Sequence, residues 1–175
     1  MAFDAAAEKG SAYTAGSIAL FLSIAAILTA LGFQHFGGYQ PCMLCLMERY
    51  AYYFAIPALF LAIVLSAGGN KGWAAALFFV VSLAFLANAG LATYHAGAEW
   101  KFWPGPESCG GGGALSASAG SLLKDLEGIK VVRCDEAALR VLGVSFAGWN
   151  VVASLLLMAV CLKAAFAASA ARTRT

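Results

Sequence analysis

Four long apolar stretches dominate the chain, separated by short polar or glycine-rich breaks and by one long connection. They cover approximately residues 16–36, 42–67, 73–94 and 146–168. Each has about the 20 residues that a helix needs to cross a hydrocarbon core roughly 30 Å thick. The pattern therefore predicts an all-α membrane protein, in which a bundle of four transmembrane helices forms a single membrane domain over residues 1–175.

The long connection covers residues 95–145 and carries most of the charged side chains. Within it, apolar residues recur near helical spacing, with serine, lysine, aspartate and glutamate between them. These residues are Leu115, Leu122, Leu123, Leu126 and Ile129. The spacing predicts a short amphipathic helix that lies on the membrane surface within a long external loop.

Composition agrees with a membrane protein and excludes some functions. Of the 175 residues, 62% are apolar and only 11% are charged, whereas an ordinary soluble domain is nearer half apolar. The net charge of +2 is too small to indicate nucleic-acid binding. Partners are therefore expected in the lipid bilayer and beside it.

The orientation follows from charge and from the cysteines. The first apolar run is too long for the core of a signal peptide, so we expect it to remain as an uncleaved first span. Lys71, Lys163 and the arginines of the C-terminal tail lie near span ends or in short segments, which favours the cytoplasmic side for them. Disulfide pairs belong on the oxidising side, so both termini are predicted to be cytoplasmic and the loop external.

The stretch Pro41-Cys42-Met43-Leu44-Cys45 lies where the second apolar run begins. Two cysteines in the first turn of a helix can form a small disulfide, and the positive end of the helix stabilises a thiolate. Pro41 is expected to open that helix. Arg49 is four residues after Cys45, so it should share its face and stabilise the thiolate. The pattern predicts a redox pair at the membrane surface.

The other cysteines and polar residues leave alternatives open. Cys109 and Cys134 are 25 positions apart in the loop, and they are either a second redox pair or a staple that closes the loop. A zinc-holding scaffold is a further alternative, although a structural zinc site needs a second closely spaced ligand pair. A structural four-span protein with two passive disulfides is another. Cys161 is interpreted as a core residue, and Asn88 and Asn150 as hydrogen-bonding contacts between helices.

Several motifs together resemble the bacterial disulfide bond formation protein B (DsbB) family, along the whole chain. The motifs are Phe33-Gln34-His35, Pro41-Cys42-Met43-Leu44-Cys45, Glu48-Arg49, Tyr94-His95, Trp103-Pro104-Gly105-Pro106 before Cys109, Arg133-Cys134-Asp135-Glu136, Leu142-Gly143-Val144-Ser145 and Trp149-Asn150. The chain departs from the family at Leu139, where a tryptophan is expected, and at Phe146, where some members have methionine near the quinone. Both departures concern local packing.

The resemblance implies an inner-membrane thiol:quinone oxidoreductase that reoxidises a periplasmic dithiol oxidase of the DsbA type and passes the electrons to ubiquinone or menaquinone. It implies that Cys109 forms the mixed disulfide with this partner and that Cys134 resolves towards Cys42. Cys45 then faces the quinone. The quinone-binding residues implied are Arg49, Glu48, His95 and Phe146. No metal is expected in this redox centre, and a vitamin K epoxide reductase-like enzyme is the nearest redox alternative.

Overall fold

A computed structural model describes residues 2–106 and 133–173, with side chains from residue 10 onwards. Two predictions lie outside the described residues: the amphipathic surface helix and the position of Cys109.

Four long helices make up most of the described chain. They are α1 (Ala2–His35), α2 (Met43–Ala67), α3 (Lys71–Glu99) and α4 (Phe146–Thr173). Each is long and apolar enough to cross a membrane, α1 over its part Gly10–His35. The predicted fold class, an all-α membrane protein with four spans, is confirmed. The chain is a multi-pass membrane protein.

The helices pack as a bundle in which α4 contacts α1 and α3, and α2 contacts the same two helices. Small side chains allow this close approach. Gly16 of α1 is one such position, because a Cβ atom there would lie 2.7 Å from the ring of Phe78. Large apolar side chains such as Phe21, Phe60 and Phe166 point outwards and are exposed. The outer surface of the bundle is therefore suited to lipid.

Polar side chains within the bundle connect neighbouring helices. Asn88 Nδ2 of α3 donates to Ser154 Oγ of α4 at 2.9 Å, and Ser82 Oγ donates to the carbonyl of Met158 at 3.2 Å. The interpretation of Asn88 as a contact between helices is confirmed. In hydrocarbon such bonds contribute modestly, about 0.6 kcal/mol each on average, but they fix the rotation of the helices relative to each other.

Helix α3 continues past its predicted end near Tyr94, and it includes His95 and Glu99. It ends in a Schellman motif, in which the N–H of Phe102 donates to Gly97 O and that of Lys101 donates to Ala98 O. Lys101 takes the left-handed conformation, with φ of 63°. The helix therefore runs about one turn beyond residue 94, where the predicted span ends, through the small residues Ala96, Gly97 and Ala98.

A short antiparallel hairpin precedes α4, and the sequence pattern does not predict it. Strands β1 (Arg140–Val141) and β2 (Val144–Ser145) are joined by Leu142 and Gly143, whose φ angles of 54° and 82° fit a two-residue turn. Ser145 then caps α4, since its Oγ accepts from the N–H of Gly148 at 3.2 Å. The hairpin fixes the entry into α4.

Candidate active site

Cys42 is the N-cap of α2. Its backbone is extended, and its Sγ accepts a hydrogen bond from the N–H of Cys45 at 3.2 Å. The helix itself begins at Met43, so the prediction that Pro41 opens it is wrong. The cysteine sulfur satisfies a free N–H of the first turn, which is the task of an N-cap side chain.

The two sulfur atoms of the close pair lie 2.8 Å apart, and both cysteines are free thiols. The pKa of Cys42 is lowered to about 4, first by hydrogen bonding with the Cys45 thiol. Burial opposes this shift, while His95 and the N–H of Cys45 add to it. Cys42 is therefore a thiolate at neutral pH, the form that can act as a nucleophile or bind a metal.

His95 is buried beside this pair. Its Nε2 lies 3.5 Å from Cys42 Sγ, and its Nδ1 donates to Glu48 Oε1 at 2.8 Å. Glu99, one turn later on α3, places Oε1 3.9 Å from the same Nε2. The extra turn of α3 therefore brings an imidazole and a carboxylate to the start of α2.

Glu48 extends the polar contacts into the bundle. Its side chain is only 8% exposed, and its Oε2 accepts from Asn150 Nδ2 at 2.7 Å. Asn150 Oδ1 in turn accepts from the hydroxyl of Tyr52 at 2.6 Å. The interpretation of Asn150 as a hydrogen-bonding contact between helices is confirmed. A buried carboxylate is costly unless it is paired, and here both of its oxygens are paired.

A cavity of about 290 Å³ lies next to the polar contacts, between α1, α2 and α4. Cys45 lines it, as do Glu48 and Asn150, and most of the remaining wall is apolar. Phe33 and Phe146 meet edge to face at one wall, with ring centroids 4.9 Å apart. The cavity therefore offers one thiol, aromatic faces and a few polar groups to a small apolar molecule.

Cys134 lies at the same place although it comes from the long loop. It is disulfide-bonded, 1% exposed, and clustered with Cys42 and Leu44. The next residue, Asp135, accepts from Arg133 at 2.8 and 2.9 Å and from Lys101 Nζ at 2.7 Å. These pairs hold the pKa of Asp135 well below its usual range. They tie the Cys134 segment to the end of α3.

The family model for disulfide bond formation protein DsbB matches residues 13–164. The chain belongs to the DsbB family. The match includes all four cysteines of the predicted pairs and most of each helix. Comparisons with curated proteins and with solved structures found no match. Membership in the DsbB family associates the chain with disulfide bond formation and indicates an oxidoreductase.

Most of the residues expected from the family resemblance meet in this DsbB-family structure. Cys42, Cys45, Cys134, Glu48 and His95 form one connected site. Arg49 lines the cavity together with Cys45. Phe146 also lines it, and Leu139 lies half-buried just before β1. Cys109 alone among the predicted site residues lies outside the described residues.

Three contributors to the site were not singled out from the sequence. Gln34 accepts from Arg49 Nη1 at 2.6 Å, Tyr52 bonds to Asn150, and Glu99 faces His95. Gln34 lies within the family motif Phe33-Gln34-His35, and this motif could have identified it as a site residue. Glu99 had none, because its role depends on the extra turn of α3. Arg49 and Cys45 line the same cavity.

Proposed function

We propose that this protein is a thiol:quinone oxidoreductase of the inner membrane that reoxidises a periplasmic dithiol oxidase of the DsbA type. The supporting observation is the continuous series of sulfur atoms from the loop to the cavity. Cys134 packs on Cys42, Cys42 lies 2.8 Å from Cys45, and Cys45 lines the cavity. A passive pair of disulfides needs no such contact.

The reaction is a two-electron exchange between dithiols and disulfides. A thiolate of the reduced partner attacks the loop disulfide of Cys109 and Cys134, and the partner leaves as a disulfide. The Cys134 thiolate then attacks Cys42 Sγ of a Cys42–Cys45 disulfide, which releases Cys45 as a thiolate. When Cys109 displaces Cys42, the loop disulfide re-forms and the electron pair rests on the inner cysteines.

The cavity residues fit a quinone ring as the electron acceptor. A flat ring with two carbonyl oxygens matches aromatic and apolar walls that carry few polar groups. Arg49 is held by Gln34, and its forked donors suit an oxygen that gains negative charge. Phe33 and Phe146 supply the aromatic contact. Bound quinone supplies a two-electron, two-proton acceptor that is soluble in the bilayer.

His95 is placed to handle protons released by the dithiol. Re-forming the Cys42–Cys45 disulfide releases two electrons, and the two protons must leave with them to keep the balance. His95 Nε2 is 3.5 Å from Cys42 Sγ, so the imidazole can hold a proton there. Glu48 accepts from the other ring nitrogen at 2.8 Å and lines the cavity. We assign His95 and Glu48 to proton transfer between the cysteines and the cavity.

This function requires the cysteine side of the bundle to face the periplasm and both termini to face the cytoplasm. The charges at the other end agree with this orientation. Lys71 Nζ donates to the carbonyl of Ala171 at 2.8 Å. This bond joins the start of α3 to the end of α4. Basic residues near span ends favour the cytoplasmic side.

The test is quinone reduction by the purified protein, driven by a reduced periplasmic dithiol oxidase. We expect Cys42→Ala, Cys45→Ala and Cys134→Ala each to abolish turnover, since electrons must pass through both pairs. Cys161→Ala is the matched control, because this buried thiol lies within α4, in the main apolar core. Retention of full turnover in Cys45→Ala, or loss of turnover in Cys161→Ala, would contradict the proposed electron path.

A further inference from the structure

Three buried donor groups and one half-buried donor group converge where α2 begins and α3 ends. The Sγ atoms of Cys42 and Cys45 and a ring nitrogen of His95 all lie within 4.8 Å of one another. Glu99 adds a carboxylate, with Oε1 3.9 Å from His95 Nε2. Two thiolates, an imidazole and a carboxylate form a donor set typical of zinc.

Glu99 is buried, and its carboxylate is paired only in part, by Ser145. Its side chain is only 6% exposed, and its Oε2 is buried without a hydrogen-bond partner in the described part of the chain. Buried carboxylate oxygens are costly unless they are paired or bind a metal. The unpaired oxygen belongs to the carboxylate whose other oxygen faces His95, so this carboxylate is available to bind a cation there.

His95 is oriented as metal-binding histidines are. Its Nδ1 donates to Glu48 at 2.8 Å, so Nε2, which lies 3.5 Å from Cys42 Sγ, is the ring nitrogen that can bind a metal once it has given up its proton. Glu48 is itself fixed by Asn150 at 2.7 Å. A histidine that binds a metal through one nitrogen usually donates the other N–H to a carboxylate, which fixes its tautomer and orientation.

We propose that the reduced form of the protein binds one zinc ion through Cys42, Cys45, His95 and Glu99, and that oxidation of the cysteine pair abolishes this site. Cys42 is already a thiolate at neutral pH, so Cys45 gives up its proton when the metal binds, and no electron is transferred. A disulfide offers no thiolate, so the oxidised pair loses two of the four ligands. The site would therefore exist in one redox state alone.

The distances suit a tetrahedral site after small adjustments. Zn–S bonds of about 2.3 Å and Zn–N or Zn–O bonds of about 2.0–2.2 Å place neighbouring ligand atoms roughly 3.3–3.8 Å apart. The distance of 3.5 Å between Cys42 Sγ and His95 Nε2 already fits. The sulfur atoms, 2.8 Å apart, must separate, and Glu99, at 3.9 Å, must approach.

This site differs from the zinc-holding scaffold considered for the sequence. That scaffold required a second closely spaced ligand pair in the sequence, whereas here α3 supplies the other two ligands, His95 and Glu99. Because the same sulfur atoms must form a disulfide, zinc would compete with the redox cycle, a consequence that rests on the proposed function. The binding itself does not depend on any quinone or partner protein, so it can be tested even if that function fails.

Binding is tested with the full-length protein in detergent micelles, reduced with a phosphine or oxidised with diamide. Zinc is titrated in competition with a chromophoric chelator, and we expect one tightly bound ion per reduced chain and none per oxidised chain. Cobalt(II) added to the reduced protein should show thiolate-to-metal charge transfer and the intense visible bands of tetrahedral coordination. Equal zinc binding by both redox forms, or an octahedral cobalt spectrum without charge transfer, overturns the proposal.

Variants identify the ligands. Glu99→Gln should weaken zinc binding at least about tenfold, as a loss in the metal's immediate surroundings does. The matched control is Glu136→Gln, an exposed carboxylate of the loop, which should bind zinc as the unchanged protein does. Cys134→Ala tests a competing ligand, because Cys134 packs beside Cys42. If Cys134→Ala weakens binding while Glu99→Gln leaves it unchanged, the proposed ligand set is wrong.

A second variant keeps the test valid if Glu99→Gln fails to fold. Glu48→Gln leaves all four proposed ligands in place but removes the carboxylate that orients His95, and we expect about a 10- to 100-fold loss of zinc affinity. Unchanged affinity in this variant would contradict the role assigned to the His95 orientation. Cys42→Ser/Cys45→Ser should remove the cobalt charge-transfer band, and its persistence would refute the site.

Discussion

Glu48 is the position at which a single atom replacement tests the connection between the cysteines and the cavity. Its two carboxylate oxygens accept hydrogen bonds from His95 at 2.8 Å and from Asn150 at 2.7 Å. In Glu48→Gln the side chain keeps its shape, but its amide group can accept at one end only. Its NH₂ then faces a donor of Asn150 or of His95, and one buried donor is left unpaired.

The magnitude follows from that unpaired group. A buried donor without a partner costs about 1–3 kcal/mol, which is about a 5- to 150-fold change in the unfolding equilibrium. For a chain of this length, such a loss corresponds to a fall in Tm of about 2–12 °C. Turnover should fall as well, because His95 loses the charge that holds its ring beside Cys42.

Asn150→Asp supplies the compensating change. Alone, it places a second carboxylate against Glu48, and two buried like charges repel each other. Combined with Glu48→Gln, it restores a donor opposite an acceptor, while the oxygen that receives the Tyr52 hydroxyl is kept. We therefore expect the double variant to be more stable than either single variant, with a coupling energy of about 0.5–3 kcal/mol.

The assay is thermal unfolding in detergent, followed by intrinsic fluorescence, beside quinone reduction at saturating partner. Glu136→Gln, at an exposed position, is the control for loss of a carboxylate and should unfold as the unchanged protein does. If the losses in Tm of the two single variants simply add in the double variant, the hydrogen bond between Glu48 and Asn150 does not exist as described.

Further predictions concern the cavity, the thiolate and the orientation of the chain. Arg49→Ala should lower kcat/KM for quinone about 10- to 100-fold through loss of ~1.4–3 kcal/mol, measured with varied quinone. Single-turnover oxidation of the partner protein by this variant should change little. The control Arg140→Ala, at an exposed position, should leave kcat/KM for quinone nearly unchanged. Since a thiol with a lowered pKa stays ionised until the pH falls through that value, the ultraviolet thiolate absorbance of Cys42 should persist on acidification and disappear only near pH 4; disappearance near pH 8 to 9, where an ordinary cysteine titrates, would contradict it. A cysteine introduced at Glu136 should react with an impermeant maleimide in intact cells, and one at Asn70 only after lysis; the reverse pattern would refute the orientation.

The features predictable from the sequence are those that depend on local pattern. Four runs of about 20 apolar residues predict four spanning helices without knowledge of their neighbours. The spacing of Cys42 and Cys45, and that of Cys45 and Arg49, likewise follows from one helix. The family motifs then added residues that lie far apart in the chain, such as His95 and Cys134.

Features that depend on packing between elements could not be predicted in this way. The third apolar run ends near Tyr94, but Ala96, Gly97 and Ala98 continue the helix to Glu99. Gly97 matters because the indole of Trp103 lies against it, where a Cβ atom would clash. Trp103 Nε1 also donates to the carbonyl of Tyr94 at 2.9 Å. This contact folds the following chain back onto α3, and no periodic pattern encodes it.

The position of the site at the helix ends has a physical reason. Under the proposed function, the cysteines react with a water-soluble protein on one side and with a molecule in the bilayer on the other, which requires them to lie at the boundary between the two. Cys42, at the first free N–H groups of α2, gains a stabilised thiolate there. Cys45, one turn further in, lines an apolar cavity. The two sulfur atoms are only 2.8 Å apart, so one cysteine pair connects the helix end with the apolar cavity. Under the same proposal, the buried residues His95 and Glu48 carry the protons away from the thiols, because the low dielectric of the bundle opposes the build-up of charge there.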